Sequence, residues 1–278
     1  MTMARDGFRM LPTRYAGLQA VAATSSHSFP RHTHDEFGIG VITAGGQLSA
    51  SGRGQVTAGA GDLITVNPGE VHDGLPLRGE ARSWSMLYLD PHLLASIQTG
   101  LGDANGTFEF EAPVVSGSPD TAGFLTTFAR VTSQEETARD MAIEQALLRL
   151  FAPLASGKNR RPAHGPSPGL GRARALIDDD PSRNTSLADL ARETGLSRFQ
   201  TLRAFRALTG LTPHAYLLQR RVADARRRIA AGASLARAAA ESGFADQSHM
   251  TREFRRRHGV TPAVYRTACL SCNSVQDA

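Results

Sequence analysis

One stretch of this chain occurs twice. Leu187-Ala-Asp-Leu-Ala-Arg-Glu-Thr-Gly195 returns as Leu235-Ala-Arg-Ala-Ala-Ala-Glu-Ser-Gly243, offset by 48. Further on, Arg203-Ala-Phe205 matches Arg252-Glu-Phe254, Gly210 matches Gly259, Thr212-Pro213 matches Thr261-Pro262 and Tyr216 matches Tyr265, all offset by 49. A duplicated unit of this length implies two copies of one supersecondary structure. The single-residue change in offset places an insertion in the turn inside the unit. Each copy has the parts of a helix-turn-helix: a short helix with small and apolar residues on one face, a glycine able to take positive φ, and a second helix. Ser186 and Ser234 are the expected N-caps of the first helices, and Ser197 and either Asp246 or Ala245 those of the second.

Packing assigns most of the repeat. Leu187, Leu190, Ala191 and Leu196 are expected to pack on Phe205 and Leu208, and in the second copy Leu235, Ala238, Ala239 and Phe244 on Met250 and Phe254. What remains on the second helices is available to a major groove, which admits one α-helix. In copy one these positions are Phe199, Leu202, Arg203 and Arg206; in copy two they are Gln247, Ser248, Thr251, Arg252 and Arg255. Arg can donate bidentately to guanine, Gln to adenine, and an apolar side chain can meet the thymine methyl. The alternative for any one of them is a solvated or phosphate-touching side chain. Between the copies, Pro213 to Ile229 reads as one helix with Pro at its start and Gly232 beyond its end. A continuous helix would set the two units about one turn of duplex apart, roughly 34 Å, on a site of about 20 base pairs.

Charge divides along the chain in the same sense. Residues 1–156 carry 10 Arg against 16 Asp and Glu, a net of −6, while residues 157–268 carry 21 Lys and Arg against 9 acids, a net of +12. The basic half is suited to a polyanion, nucleic acid first. Because 30 of the 31 basic residues are Arg, a merely well-solvated Arg-rich surface is the competing explanation. Residues 157–169, dense in Pro and Gly and without apolar periodicity, read as the linker between the halves.

The acidic half changes character at about residue 119. Short β-branched runs at Phe37–Thr43, Gly46–Ser51, Gly54–Thr57, Leu63–Val66 and Ser83–Leu89 indicate a small barrel or sandwich. From Pro119 to Ala155, apolar residues at helical spacing indicate two amphipathic helices, covering the barrel or closing a homodimer. His32-Thr-His34-Asp-Glu36 would place His32, His34 and Glu36 on one strand face, and His72, after the Pro68-Gly69 turn, could join them. Three imidazoles and a carboxylate suit a divalent metal, an organic effector or a structural hydrogen-bonded cluster.

Residues Ser186 through Arg266, including Gly243-Phe-Ala-Asp-Gln-Ser-His-Met-Thr-Arg-Glu-Phe254 and Gly259-Val-Thr-Pro-Ala-Val-Tyr-Arg266, resemble the DNA-binding domain of AraC/XylS transcription regulators. The family's base-reading places fall on the second-helix residues already named. Copy one departs from the usual pattern at Gln200 and at Thr201, where a larger apolar residue is common. The N-terminal half looks like a cupin barrel, the sensor arrangement of many such regulators, although cupin metalloenzymes place their acid further beyond the second His than Glu36 stands. The resemblance implies an α+β multidomain chain: a cupin-like β-barrel with two flanking helices over 1–156, the linker 157–169, an all-α domain of two helix-turn-helix units over 170–268, and a tail, 269–278.

The function expected is sequence-specific regulation of transcription through promoter DNA, controlled by a small-molecule effector in the barrel, with RNA polymerase as the partner the family implies. No catalysis and no required cofactor are expected; a divalent metal held by His32, His34, Glu36 and His72 stays an alternative. A metal-dependent cupin enzyme tethered to DNA and an architectural DNA binder are the rival readings. No charged-then-apolar leader and no apolar run near the roughly 20 residues of a membrane span are present, so the cytoplasm is the expected location and no membrane partner is expected. Cys269 and Cys272 are the only cysteines, and a C-x-x-C pair by itself establishes neither metal nor redox chemistry.

Overall fold

The computed structural model, described for residues 7–13, 15–100, 108–118, 120–133, 146–147, 150 and 167–273, divides into two compact units, one of residues 1–159 with 268–278 and the other of residues 160–267. The first unit is built of antiparallel strands: β1 (Gly7–Leu11), β2 (Leu18–Ser25), β3 (Phe29–His32), β4 (Phe37–Ala44), β5 (Gly46–Ser51), β6 (Gly54–Gly59), β7 (Leu63–Val66), β8 (His72–Pro76), β9 (Arg82–Leu89) and β10 (Val114–Val115). They form a six-stranded sheet, β1-β2-β9-β4-β7-β10, and a four-stranded sheet, β3-β8-β5-β6. The barrel anticipated from sequence therefore takes the form of two sheets that are not closed into one cylinder.

Alternation along β4 and β9 gives the large sheet two distinct faces. Ile39, Val41, Leu87 and Leu89 point to one side, where they pack with Leu94 of α1 (Pro91–Gly100) and with Phe124 and Val131 of α2 (Asp120–Val131). The apolar stripe of α2 is thus buried on its own sheet. The second helix expected before residue 155 lies mostly outside the described residues, but Leu147 and Leu150 are buried in this same cluster. On the opposite face Ile42, Trp84 and Met86 pack with Phe29 and Ala58 of the small sheet. Gly40 lies opposite Met86 in the register, and a Cβ there would fall 2.4 Å from the Met86 sulfur and 2.5 Å from the Ser85 carbonyl oxygen. Only glycine lets this side chain cross the strand.

The second unit is helical: α3 (Pro168–Asp179), α4 (Leu187–Thr194), α5 (Arg198–Thr209), α6 (Pro213–Ala230), α7 (Leu235–Glu241), α8 (Gln247–His258) and α9 (Pro262–Asn273), which belongs to it through Thr267. The repeat folds as two helix-turn-helix units, α4–α5 and α7–α8. Their caps are those the sequence specifies: Ser186, Ser197, Ser234 and Asp246 each accept a backbone N–H three residues on, and Ser186 and Ser197 complete reciprocal capping boxes with Asp189 and Gln200. Gly195 and Gly243 adopt φ of 69° and 81° in the two turns. Two boundaries differ from expectation. Pro168 and Gly169, read as linker, open α3, where Pro suits the first turn because its missing N–H would have no helical partner; the rest of 157–166 lies outside the described residues. Residues 269–273, read as tail, continue α9.

Ala173 and Ile177 of α3, Leu190 of α4, Phe205 of α5 and Leu217 of α6 make one core cluster. In copy two Ala238, Ala239, Phe244, Met250 and Phe254 are buried, and each copy packs an equivalent aromatic pair at a steep angle: Phe205 with Tyr216 at 5.5 Å and Phe254 with Tyr265 at 5.6 Å between centroids. Leu196 departs from expectation. It is 37% exposed, whereas its repeat equivalent Phe244 is 5% exposed.

Candidate nucleic-acid interface and histidine cluster

The exposed faces of α5 and α8 follow from what each helix buries. Thr201 and Phe205 turn inward on α5, and Met250 and Phe254 occupy the equivalent places on α8. Thr201, small for a buried site, is fully enclosed and its hydroxyl pairs with that of Thr194 at 2.9 Å, which explains how copy one accommodates a threonine there. Outward, Phe199, Leu202, Arg203 and Arg206 share the i, i+3, i+4, i+7 spacing of a single stripe, as do Ser248, Thr251, Arg252 and Arg255 on α8, with Gln247 at its first turn. Leu202 and Thr251 are half-buried, and the other residues of both sets are exposed. Phe199, at 67%, is the most exposed large apolar side chain described, and the Arg203 guanidinium lies 5.8 Å from its ring centre. That contact orients an otherwise mobile cation.

Arg198 was missed by the sequence reading. The 49-residue offset makes it the counterpart of Gln247, and it stands exposed at the first turn of α5. The repeat register was the signal that could have found it.

The helix α6 runs unbroken for 18 residues, about 27 Å at 1.5 Å per residue, opened by a Thr212 cap and Pro213. Both copies are tied to it. On the side of copy one, Arg221 is buried and donates to the carbonyl oxygens of Pro181 at 2.8 Å and Arg183 at 3.2 Å in the segment that leads into α4. On the side of copy two, Asp224 accepts from Arg228 at 2.7 Å and from the Ser242 hydroxyl at 2.9 Å, while Arg228 also pairs with Glu241 of α7. Charged neighbours and these hydrogen bonds hold the Asp224 carboxyl below its ordinary range against the opposing, largest effect of desolvation. The spacing of the two outward stripes is therefore set by one uninterrupted helix with a polar clasp near each copy.

In the sheet unit, β3 pairs with β8 so that His32 stands opposite His72. His34 and Glu36 are not on this strand. The chain leaves β3 after His32, and both lie in the bend before β4, so two-residue alternation is not what brings the histidines together. The Pro68-Gly69 turn does that work: Gly69, at φ 74°, donates its N–H to the His34 carbonyl at 2.8 Å, and the Glu70 carbonyl accepts from Nδ1 of His72 at 3.0 Å. The Pro30 carbonyl accepts from Nδ1 of His32 at 2.7 Å. One ring nitrogen from each of His32, His34 and His72 lies within 4.8 Å of the other two, and Glu36, although buried, is not part of that group.

The surroundings of the cluster were only partly legible in sequence. The Tyr88 ring lies 5.1 Å from that of His34, and burial pushes its phenol up to about 12. Burial also lowers the His72 imidazole below its ordinary value. Arg82 is enclosed completely: it donates to Gln47 at 2.8 Å and to the His27 carbonyl at 3.0 Å, and its guanidinium lies 4.9 Å from the Trp84 ring centre. Desolvation draws it down to about 10, so it remains a cation at neutral pH. Between the sheets the chain thus gathers imidazoles, a phenol, a buried cation and the apolar surfaces of Phe29, Trp84 and Met86.

Comparison with known proteins separates the same two parts. A family model described as an AraC-like ligand binding domain matches residues 17–164, and one described as a helix-turn-helix domain matches residues 190–268. The chain is 25% identical over 226 residues to the uncharacterized HTH-type transcriptional regulator YbfI of Bacillus subtilis, covering 80% of this chain and 81% of that one. It is 30% identical over 93 residues to the virulence regulon transcriptional activator VirF of Yersinia enterocolitica, 33% of this chain and 34% of that one. In fold it is similar to ToxT of Vibrio cholerae, with a TM-score of 0.55 at 16% identity over 91% of this chain and 99% of ToxT. Among the described residues, no helix is long and apolar enough to cross a membrane.

Proposed function

The chain belongs to the AraC family of transcription regulators, and on that premise we propose that it reads promoter DNA with α5 and α8 in successive major grooves, under the control of a small molecule bound between its two sheets. The observation that carries this reading is the pair of outward stripes on equivalent helices, with Arg203 and Arg252 at the same register and both exposed. Arg198, Phe199, Leu202, Arg203 and Arg206 contact one half of the site, and Gln247, Ser248, Thr251, Arg252 and Arg255 the other. The protein acts in the cytoplasm as a regulator rather than as an enzyme, and changes promoter output through RNA polymerase. An effector acts by its differential affinity for two arrangements of the protein, typically worth about 1–3 kcal/mol.

Selection of bound duplexes from a random pool by the full chain tests this. A bipartite consensus with its halves about one helical turn apart is expected; recovery of unrelated sequences would refute it. For the effector, one structure of ToxT holds an unsaturated fatty acid, which makes such an acid the first probe here. Binding that shifts operator affinity about 5-fold or more supports the sensor assignment. Substitution of Trp84 or Tyr88, which face the space between the sheets, should abolish the shift without changing operator affinity in the absence of the acid.

A further inference from the structure

Two carbonyl oxygens fix the chemistry of the histidine cluster. A carbonyl can only accept, so the contacts of Pro30 with His32 Nδ1 at 2.7 Å and of Glu70 with His72 Nδ1 at 3.0 Å place a proton on each Nδ1. In the neutral rings the lone pairs then reside on Nε2. His32 Nε2 stands 3.1 Å from His34 Nε2, and all three side chains offer nitrogens within 4.8 Å of one another. A histidine that holds a metal almost always donates its other ring N–H to a carbonyl or carboxylate. Here His32 and His72 do so, and the backbone of His34 is held by the Gly69 N–H.

We infer that His32, His34 and His72 form a binding site for a divalent late first-row transition metal, zinc being the ion the donors fit best. Zinc–nitrogen bonds of about 2.0–2.1 Å set tetrahedral ligand nitrogens about 3.3–3.4 Å apart. The His32–His34 spacing is already close to this, and the set as a whole has to contract by no more than about 1.5 Å. Imidazole donors without carboxylate favour zinc, nickel, copper or iron over calcium and magnesium, which take oxygen. Glu36, the acid suggested by sequence, is outside the group, so three neutral ligands leave the ion its full charge and a position for water. The competing arrangement is a proton on His34 Nε2 donated to His32 Nε2, a hydrogen-bonded cluster without an ion.

Untagged full-length protein, stripped with chelator, distinguishes the two. Titration with cobalt(II), read by its visible ligand-field bands and by competition with zinc, should show one ion per chain. His72→Gln should weaken binding about 100-fold or more, beyond the range for loss of an outer partner, and His32→Ala should do the same. The double variant Cys269→Ser/Cys272→Ser should bind as wild type. Because His32 is buried, circular dichroism checks that each variant folds, and half-buried His72 supplies the decisive variant if His32→Ala does not. Zinc should also raise the Tm of wild type but not of His72→Gln. Equal affinity in wild type and His72→Gln, or loss of binding only in the cysteine variant, would overturn the site.

Discussion

The two helix-turn-helix copies share a backbone and differ in what they do with the residue after the turn glycine. In copy one Gly195 and Leu196 lead directly to the Ser197 cap. In copy two Gly243 and Phe244 are followed by one more residue, Ala245, before the Asp246 cap. The additional residue gives the chain room to fold Phe244 into the core, while Leu196 is held near the surface at 37% exposure. Copy one then carries apolar surface outward on Leu196, where copy two buries Phe244, and on Phe199 and Leu202, where copy two presents Ser248 and Thr251. The insertion separates the fates of Leu196 and Phe244, and substitution at equivalent positions, Phe199 for Ser248 and Leu202 for Thr251, makes the outward stripes unlike. Their cores remain alike.

The likeness of the cores predicts the largest effects. Phe205→Ala and Phe254→Ala each remove a fully enclosed ring packed against a tyrosine, and each should cost about 3–5 kcal/mol in denaturant unfolding of the full chain. A loss below about 1 kcal/mol in either would break the equivalence. The turn residues sharpen the contrast next. Phe244→Ala should destabilise by about 3 kcal/mol and Leu196→Ala by no more than about 1 kcal/mol, measured the same way; equal losses would contradict the role given to Ala245.

On DNA the difference should appear as unequal readout. Arg252→Ala is expected to weaken operator binding by about 1–3 kcal/mol, and Arg203→Ala, beside the apolar Phe199, by less. Gel-shift titration at fixed salt checks this, and a larger loss at Arg203 would reverse the assignment. The smallest effects belong to the caps. Ser197→Ala and Asp246→Ala should each cost about 1 kcal/mol of stability, and a markedly larger loss for either would mean that its side chain has a further partner.

How legible all this was in the sequence depended on whether the determining contact is local. Caps, turn glycines and the offset are set within a few residues, and Ser186, Ser197, Ser234 and Asp246 could be read directly. Strands β4 and β7 were readable from β-branched residues between turn signals, and β5, which has none, from its place between glycines. In contrast β2, with Ala-rich Leu-Gln-Ala-Val-Ala-Ala, and β8, which contains Gly and Pro, have weak intrinsic preference and owe their form to their partners. The histidine cluster shows the limit most clearly. The residues were identifiable, but alternation wrongly placed His34 and Glu36 on the strand of His32. Their true arrangement comes from the β3–β8 register and a hydrogen bond across 35 residues of chain, from Gly69 to His34, neither of which is written in local spacing. Arg82 and Trp84 went unnoticed for the same reason: a strand sequence does not say which sheet will cover it.

The central claim is that one helix from each copy reads bases, in halves about one turn of duplex apart. It is tested most directly by measuring wild type, Arg203→Ala and Arg252→Ala against the selected operator with each base pair changed in turn. The account predicts that Arg252→Ala loses discrimination at one position in one half-site, and that Arg203→Ala loses it, by a smaller margin, at a position about 10 base pairs away. Loss of discrimination at the same position in both variants, or at none in either, would contradict it.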